Sequence, residues 1–345
     1  MKAAVLGSGS WGTALASVLA DNDHQTILWA RRAEVAYEIV NQHTNKQYLP
    51  AASLHPKLTA TTQLDEALDG AQLVVFAVPS GSMAQVTQES VPYMPDNAWL
   101  AHAVKGFDPL TKRRMSQVLA DVFPDAAERV CVISGPSHAE EVVSKLPTTI
   151  VVSSLVQASA ETVQDALMNR YLRVYTNPDV IGTELGGSLK NIIAISVGIA
   201  DGLGFGDNAK AALMTRGLAE IARLGVKMGA SPLTFAGLSG VGDLIVTCTS
   251  QHSRNFRTGR LLGQGKSVQE ALAKVGMVVE GIPTTQAAVE LAARYEVEMP
   301  ITEVLAQVLF EGKDPAKSVV ELMGRERSHE IEEVAREKIS PKWLK

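Results

Sequence analysis

The chain has 345 residues, which is longer than one ordinary hydrophobic core and predicts two domains. Apolar residues make up 46% of it and charged residues 20%, a balance typical of soluble globular proteins. The formal net charge of -5 argues against a protein that binds nucleic acid non-specifically, because that function needs a basic face. It leaves room for a local basic pocket.

Neither a metal site nor a membrane segment is expected. Cys131 and Cys248 are the only cysteines, and their separation does not match metal-ligand spacing, so both are predicted to be buried thiols in a reducing compartment. The N-terminal run MKAAVLGSGSWG is too short for a secretory signal, and no apolar stretch reaches the roughly 18 residues of a membrane span. We therefore expect a cytoplasmic protein.

Predicted strands and helices alternate over the first 180 residues. This spacing of βαβ units predicts an α/β domain with a mostly parallel sheet. The predicted helices cover residues 12–19, 63–69 and 111–122. The predicted strands cover residues 2–6, 25–29, 73–78, 98–104, 130–133 and 148–153, the last at an edge of the sheet.

The pattern changes near residue 180, after which helical stretches dominate. Small residues along them favour close helix packing, so residues 181–345 are predicted to form an all-α domain after an N-terminal domain of residues 1–180. The last fifteen or so residues are charged and amphipathic, without the features of a separate domain. The predicted helices cover residues 184–200, 208–229, 284–297, 301–311 and 315–323.

A glycine-rich turn joins the first predicted strand to the first helix. It has the spacing G-x-G-x-x-G, formed by Gly7, Gly9 and Gly12. Gly7 permits the tight turn, Gly9 allows the backbone to approach a pyrophosphate, and Gly12 allows close packing of helix on strand. In this context the motif predicts a dinucleotide-binding site. The alternative is a glycine turn that serves only packing.

Two arginines follow the second predicted strand. An NAD-specific site usually has an acidic residue here for the ribose hydroxyls, but this chain has Arg31 and Arg32. Guanidinium groups suit a 2′-phosphate, so the sequence favours NADPH, with NADH tolerated. A solvated basic turn is the alternative.

Four polar clusters are candidates for a substrate site. Lys105 follows a predicted strand, at the end where ligands of parallel sheets bind. Residues 134–141 contain a rigid Gly-Pro turn. Lys190 and Asn191 interrupt an apolar helix, where an unpaired ammonium would be costly. The fourth cluster, residues 240–255, supplies Asp243, Thr247, Ser253, Arg254 and Asn255.

Together these clusters fit hydride transfer to a phosphorylated carbonyl compound. A lysine with a lowered pKa can give a proton to the developing alkoxide, and a nearby carboxylate can hold that lysine in place. Arg254 with its two neighbours is suited to grip a phosphate dianion. Alternatively, Asp243 is a helix cap and Lys190 a snorkelling side chain.

From residue 3 to about residue 325 the sequence closely resembles bacterial NAD(P)-dependent glycerol-3-phosphate dehydrogenases. The segments that carry the resemblance are GSGSWGTALA, VFAVPS, VKGFDP, SGPSHAEEV, GSLKNIIAI, DGLGFGDNAKAAL, GVGDLIVTC and HSRNFRTG. The resemblance implies a Rossmann domain followed by a helical domain, commonly as a homodimer. It also implies reduction of dihydroxyacetone phosphate to sn-glycerol 3-phosphate for phospholipid synthesis.

The resemblance also implies roles for single residues. Lys190 matches the catalytic proton donor and acceptor, and Asp243 matches the carboxylate that positions it. Residues that match substrate contacts are Lys105, Gly135, Ser137, Ser253, Arg254 and Asn255. Asn191 and Thr247 are added as substrate contacts because they lie in the same clusters as Lys190 and Asp243. Residues that match cofactor contacts are Ser10, Trp11, Arg31, Arg32, Lys105, Ala139, Arg254, Val278 and Glu280, beside the three glycines.

Two other functions stay open at this point. A related two-domain dehydrogenase for a β-hydroxy acid or a sugar acid would share the fold and the lysine. A non-catalytic NAD(P)H sensor would need the glycine turn but not a lysine supported by a carboxylate.

Overall fold

The computed structural model describes residues 1–324, so the predicted amphipathic stretch at the C-terminus lies outside the described residues. The chain divides into two compact units, Met1–Glu184 and a second that begins at Leu185.

The first unit is built on one eight-stranded sheet in the order β3-β2-β1-β4-β5-β6-β7-β8. All neighbouring strands run parallel except β6 and β7, which pair antiparallel. The predicted α/β domain with a mostly parallel sheet is therefore confirmed. The strands are β1 (Lys2–Leu6), β2 (Gln25–Trp29), β3 (Thr59–Thr61), β4 (Leu73–Phe76), β5 (Trp99–His102), β6 (Val130–Ser134), β7 (Thr148–Ser153) and β8 (Leu172–Asn177).

Helices cover both faces of this sheet. Ala3 and Val5 of β1 belong to one apolar cluster, and Ala4 and Leu6 belong to another, so successive side chains of this central strand are buried on opposite faces. The helices are α1 (Ser10–Asp21), α2 (Ala33–Gln42), α3 (Leu64–Leu68), α4 (Ser80–Ser90), α5 (Met115–Val122), α6 (Ala139–Val143) and α7 (Gln157–Leu167).

The strand predicted at an edge is not at an edge. β7 has the predicted bounds, but β8 pairs with it in parallel over its whole length and forms the edge instead. Leu172 and Val174 of β8 are buried while Arg173 and Tyr175 are exposed, which is the alternation of a half-buried strand. That two-residue period was the available signal for β8.

A buried carboxylate joins three elements of the first unit. Glu184 accepts hydrogen bonds from the backbone N–H of Ser116 at 2.8 Å and from its hydroxyl at 2.6 Å, and it pairs with Arg114. His102 Nε2 lies 3.2 Å from the same carboxylate. Burial acts to raise the pKa of Glu184, but these partners outweigh it and lower the pKa to about 2. The carboxylate is therefore charged at neutral pH.

The second unit is helical as far as residue 324, and this confirms the predicted all-α region over the residues that the structure describes. Its first helix, α8 (Val180–Gly202), starts in the first unit and continues into the second. A short π-helical turn, Leu238–Gly242, precedes α11. The other helices are α9 (Asp207–Lys227), α10 (Pro232–Phe235), α11 (Asp243–Thr249), α12 (Arg254–Gly263), α13 (Val268–Val275), α14 (Gly281–Tyr295), α15 (Pro300–Phe310) and α16 (Pro315–Met323).

Glycines allow α8 and α12 to approach each other closely. A Cβ at Gly259 would lie 2.0 Å from the carbonyl oxygen of Ile195, and one at Gly202 would lie 2.2 Å from that of Arg260. Gly198 and Gly263 meet the partner helix at similar distances. The small residues therefore have the packing role that the sequence predicts for them.

Within the described residues, one stretch, Pro232–Thr249, is long and apolar enough for a membrane span by length and composition. It is not one continuous helix, because it comprises α10, the π-helical turn and α11. It also contains the buried, ion-paired Asp243. These features are typical of a core segment in a globular unit, in line with the sequence-based expectation.

A buried glutamate of α9 caps a neighbouring helix. Glu220 accepts hydrogen bonds from the backbone N–H groups of Ile301 at 2.6 Å and Thr302 at 3.2 Å, at the start of α15. Burial raises the pKa of Glu220 to about 7, although these donors and the charge of Arg223 act in the opposite direction. The carboxyl therefore titrates near neutral pH while it holds the first turn of α15.

We expect Glu220→Gln to change how stability depends on pH. Because the folded-state pKa is raised above the ordinary 4.5, the stabilisation by the proton is complete below pH 4.5 and is lost as the pH rises to about 7. The free energy of unfolding of the variant, relative to that of the unmodified chain, should rise by on the order of 3 kcal/mol across this range. Urea denaturation at a series of pH values measures it.

The control is Glu311→Gln, which changes an exposed glutamate at the other end of α15. It shows the effect of removing a glutamate that lies outside the buried cap of α15. Parallel pH profiles for Glu220→Gln and the unmodified chain would contradict the assignment.

Candidate active site

The glycine turn after β1 has the geometry of a dinucleotide cradle. Gly7 has a φ of +121°, and a Cβ there would lie 2.6 Å from the carbonyl oxygen of Ala77. A Cβ at Gly12 would lie 1.9 Å from the carbonyl oxygen of Gly7, so helix and turn can meet only without it. A Cβ at Gly9 would meet no described atom within 4 Å. The open space at Gly9 is where a pyrophosphate would lie.

Helix α1 starts at this cradle. Its N-cap is Gly9, which makes no side-chain capping bond, and the first N–H groups of a helix have no partner within the helix. These N–H groups and the positive end of the helix dipole attract phosphate. The predicted residues Ser10 and Trp11 form the first turn. The residues present therefore fit a dinucleotide, which would supply the hydride when bound.

The two arginines after β2 differ in their surroundings. Arg31 is exposed, whereas Arg32 bonds to the side-chain oxygen of Gln47 and lies over the ring of Tyr48, 5.9 Å from its centroid. Nε of Arg32 is also 3.6 Å from the carboxylate of Glu34. Arg32 is therefore held in place from several sides.

Predicted substrate residues of the first unit follow two adjacent parallel strands. Lys105 comes three residues after β5, and Gly135 directly follows β6. Gly135 has a φ of +114°, and a Cβ there would lie 3.1 Å from the Cα of Ile150. The hydroxyl of Ser137 donates to the carbonyl oxygen of Gly135 at 3.0 Å, and Ala139 begins α6. The carboxyl ends of parallel strands are the usual ligand-binding edge of such a sheet.

In the second unit, α8 carries a buried ion pair. Lys190 is only 5% exposed, and its ammonium pairs with Asp243 and donates to Thr247 Oγ1 at 2.8 Å. Thr247 Oγ1 in turn donates to the backbone oxygen of Asp243 at 2.6 Å. Lys190 does not snorkel to the surface, and Asp243 is the first residue of α11 rather than its N-cap. The snorkelling alternative for Lys190 is therefore wrong.

A close backbone contact brings this pair together. A Cβ at Gly186 would lie 2.3 Å from the carbonyl oxygen of Ser239, so α8 packs directly on the π-helical turn before Asp243. Gly186 and Lys190 are four residues apart and share one face of α8. π-Helical turns often occur at functional sites. The glycine thus allows Lys190 to reach the carboxylate.

The predicted phosphate-binding residues lie at the start of α12. Ser253 is its N-cap, and the hydroxyl oxygen accepts from the backbone N–H of Phe256 at 3.2 Å. Arg254 donates to the carbonyl oxygen of Val278 at 2.9 Å. Ser253 therefore has a capping role that the sequence analysis did not assign, and Arg254 adds its charge to the positive helix end.

Asn255 links three segments of the second unit. Its amide nitrogen donates to the side-chain oxygen of Asn191 at 2.9 Å, and its amide oxygen accepts from the backbone N–H of Gly281 at 2.9 Å. The predicted residues Val278 and Glu280 lie just before Gly281, at the start of α14. The structure thus joins the Lys190 helix, the α12 terminus and this loop.

Both cysteines are buried, as predicted. Cys248 follows Thr247 in α11, and Cys131 lies in β6. Burial raises the pKa of each thiol to about 12. Neither is therefore a thiolate nucleophile at neutral pH.

Family models cover both units. Residues 2–160 match the N-terminal model, and residues 179–320 the C-terminal model, of NAD-dependent glycerol-3-phosphate dehydrogenase. The chain belongs to this family. This confirms the resemblance found in the sequence.

Curated relatives and a solved structure agree with the family match. The chain is 54% identical over 334 residues to a glycerol-3-phosphate dehydrogenase [NAD(P)+] of Bacillus velezensis, covering 96% of this chain and 97% of the relative. It is 56% identical over 335 residues to that of Pelotomaculum thermopropionicum, covering 97% and 96%. The crystal structure of glycerol-3-phosphate dehydrogenase from Coxiella burnetii is similar, with a TM-score of 0.89, 38% identity, and coverage of 94% and 99%.

Sequence reasoning missed three residues near the cofactor cradle. Asn45 is buried and donates to the carbonyl oxygen of Ser8, while Gln47 and Tyr48 contact Arg32. The stretch that contains them, HTNKQYLP, has no motif and no periodicity. Their roles come only from tertiary contacts.

We expect Gly9→Ala to weaken cofactor binding without loss of stability, and Gly12→Ala to lower the stability of the fold. Gly9→Ala should leave the free energy of unfolding within about 0.5 kcal/mol of its original value, because its Cβ meets open space. It should weaken NAD(P)H binding by at least about tenfold, since it fills that space. Gly12→Ala should destabilise the fold itself, because the added Cβ collides with the oxygen of Gly7. Calorimetric titration and thermal unfolding measure the two effects.

If a folded Gly9→Ala protein binds NAD(P)H with unchanged affinity, the pyrophosphate does not lie in the open space at Gly9. The matched control is Gly206→Ala at the N-cap of α9, where φ is -74° and an added Cβ also meets open space, so it shows the effect on thermal unfolding of alanine outside the cradle.

Proposed function

We propose that the protein is an NAD(P)-dependent sn-glycerol-3-phosphate dehydrogenase. It reduces dihydroxyacetone phosphate to sn-glycerol 3-phosphate and catalyses the reverse reaction. The observation that carries the proposal is the buried Lys190–Asp243 ion pair with Thr247 in a chain that also holds a dinucleotide cradle. Membership of the family supports the choice of substrate.

Lys190 is the catalytic acid in the reduction and the base in the reverse direction. As the carbonyl carbon gains the hydride and its electron pair, the C=O π electrons move to oxygen, which takes a proton from Nζ of Lys190. Asp243 holds the ammonium in place, and Thr247 accepts one of its hydrogen bonds. The neutral amine then regains a proton from water. A charged donor already oriented in a buried site needs little reorganisation during the reaction.

The substrate phosphate is bound at the start of α12. Arg254 supplies a guanidinium, and the positive end of the helix dipole, next to Ser253 and Asn255, adds to the attraction. Asn191 and Thr247 complete the substrate contacts in the second unit. Lys105, Gly135 and Ser137 are the substrate contacts that we propose in the first unit, at the ligand-binding edge of its sheet.

NADPH is the favoured cofactor and NADH is also used. The glycine turn with Ser10 and Trp11 binds the pyrophosphate, and Arg31 and Arg32 bind the 2′-phosphate. The other cofactor contacts that we propose are Lys105, Ala139, Arg254, Val278 and Glu280.

The larger assignments are also part of the proposal. Residues 1–180 form the NAD(P)-binding domain and residues 181–345 the helical substrate domain. The enzyme acts in the cytoplasm as a homodimer, and its product feeds glycerophospholipid synthesis. The family resemblance supports each of these assignments.

Two other functions fit the site less well. A non-catalytic NAD(P)H sensor has no use for a buried lysine supported by a carboxylate, whose burial is costly. A dehydrogenase for an unphosphorylated hydroxy acid could use the cationic start of α12 for the substrate carboxylate, so it is membership of the family that favours the phosphorylated substrate. A substrate panel that includes β-keto acids, assayed with both cofactors, separates these functions.

We expect the protein to oxidise NADPH and NADH only when dihydroxyacetone phosphate is present. The loss of absorbance at the nicotinamide band measures this oxidation. Lys190→Ala should lower kcat by about 10³-fold, because the alkoxide loses its proton donor, while the Kd for NADPH changes little. Lys266→Ala removes an exposed lysine of the same unit and should keep normal turnover. Near-normal turnover in Lys190→Ala would mean that another group supplies the proton.

Arg254→Ala should affect the phosphorylated substrate selectively. Loss of a charge-assisted bond to the phosphate should lower kcat/KM for dihydroxyacetone phosphate by about 10- to 100-fold. The slow reduction of unphosphorylated dihydroxyacetone should change much less. Arg260→Ala, in the last turn of α12, is the control for loss of a positive charge. An equal loss with both substrates would show that Arg254 does not bind the phosphate.

A further inference from the structure

One turn of the first unit connects both parts of the proposed cofactor site. The turn Asn45–Leu49 lies between α2 and β3 and is closed by N–H bonds from Tyr48 and Leu49 to the carbonyl oxygen of Asn45, at 3.1 and 2.8 Å. Leu49 is buried in the apolar core, and Asn45 is fully buried. Residues 46–48 are therefore held between two buried anchors.

The first connection is to the glycine turn. The side-chain amide of Asn45 donates to the carbonyl oxygen of Ser8 and to Thr13 Oγ1, both at 2.9 Å. The hydroxyl of Ser10 donates to the carbonyl oxygen of Tyr48 at 3.0 Å. The hydrogen bond from Ser10 is accepted by the backbone carbonyl of Tyr48. The position of Tyr48 relative to the pyrophosphate cradle therefore does not depend on its side chain.

The second connection is to Arg32. Its guanidinium lies over the ring of Tyr48 and bonds to the side-chain oxygen of Gln47. These two holders are uncharged, so they orient the guanidinium without cancelling its charge. Glu34 is the only acidic group paired with Arg32 among the described residues, and its side chain is 69% exposed, where solvent screens the attraction.

This restraint distinguishes Arg32 from its neighbour. Arg31 is exposed and has no partner in the part of the chain that the structure describes. A mobile arginine must lose side-chain entropy when it binds a phosphate, whereas an arginine stacked on a ring has already lost part of it. Arg32 is therefore the better-prepared contact for a group beyond the end of β2, where the 2′ position of the adenosine ribose lies in such sheets.

We infer that Gln47 and Tyr48 determine the preference for NADPH over NADH, as positioning residues that hold Arg32 for the 2′-phosphate. The inference rests on the proposed function, in which Arg31 and Arg32 bind that phosphate. Neither residue needs to contact NADH for this effect. Their removal should therefore change the affinity for one cofactor and leave that for the other.

The test is calorimetric measurement of the Kd for NADPH and for NADH with the full chain. Tyr48→Ala should weaken NADPH binding by about 2- to 5-fold, the usual contribution of an exposed cation–π contact, and leave NADH binding unchanged. Tyr48→Phe keeps the ring and should keep the original ratio of the two Kd values. Gln47→Ala should shift the ratio in the same direction as Tyr48→Ala.

A double-variant comparison shows whether the effect passes through Arg32. Arg32→Ala alone should weaken NADPH binding, and adding Tyr48→Ala to it should produce no further change in the ratio. The control is Tyr175→Ala, which removes a ring that lies under the guanidinium of Arg173, 5.4 Å from the ring centroid. Both residues lie on β8, the edge strand at the opposite end of the sheet from β2 and β3. Tyr175→Ala should leave both Kd values unchanged.

Each other outcome has a definite meaning. Equal weakening of both cofactors by Tyr48→Ala would show a general structural role and overturn the inference. If Arg32→Ala changes the ratio of the two Kd values but Tyr48→Ala and Gln47→Ala do not, the inference is overturned and the proposed function is not affected. An unchanged ratio with Arg32→Ala overturns the 2′-phosphate assignment in the proposed function, and the inference with it. Should Tyr48→Ala fail to fold, Gln47→Ala decides, because Gln47 is exposed.

Discussion

The buried ion pair between Lys190 and Asp243 is the constraint on which the second unit depends. Two charges removed from water are stable only when they are close together and hydrogen-bonded, and an apolar pair of similar size would often be at least as stable. The third member, Thr247, bonds to both residues. Keeping such a pair has a cost in stability that the proton transfer proposed for Lys190 would explain. Helix packing around it must therefore be accurate to within hydrogen-bond distances.

Glycines provide that accuracy. Gly186 lets α8 touch the π-helical turn before Asp243, and Gly198, Gly202 and Gly259 let the same helix touch α12. With larger side chains at these positions the helix axes would move apart, and the ammonium, the carboxylate and the start of α12 would move with them. Close backbone packing in this unit thus fixes the distance between Lys190, the proposed proton donor, and the start of α12, the proposed phosphate site.

In the first unit the same reasoning applies to the cofactor cradle. Gly7 and Gly12 are needed so that turn and helix can meet, whereas Gly9 leaves space that the fold itself does not use. The fold thus accounts for two of the glycines, and the open space at the third fits the proposed pyrophosphate. The turn that carries Asn45 and Tyr48 then links this cradle to Arg32 through side-chain and backbone bonds. Cofactor binding and cofactor choice, as we propose them, therefore share one framework.

The sequence by itself determined the alternation of strands and helices in the first unit, the glycine turn and the resemblance to the family, because these features are local patterns of residue type. The cost of an ammonium in an apolar helix also indicated that Lys190 faces a polar cleft, and the resemblance implied Asp243 as the carboxylate that positions it. Only the tertiary structure decided that Lys190 is buried rather than snorkelling, that β8 is the edge strand, and that Tyr48 lies against Arg32. Residues 190 and 243, or 32 and 48, meet only after the chain has folded, and no local pattern encodes such a distance.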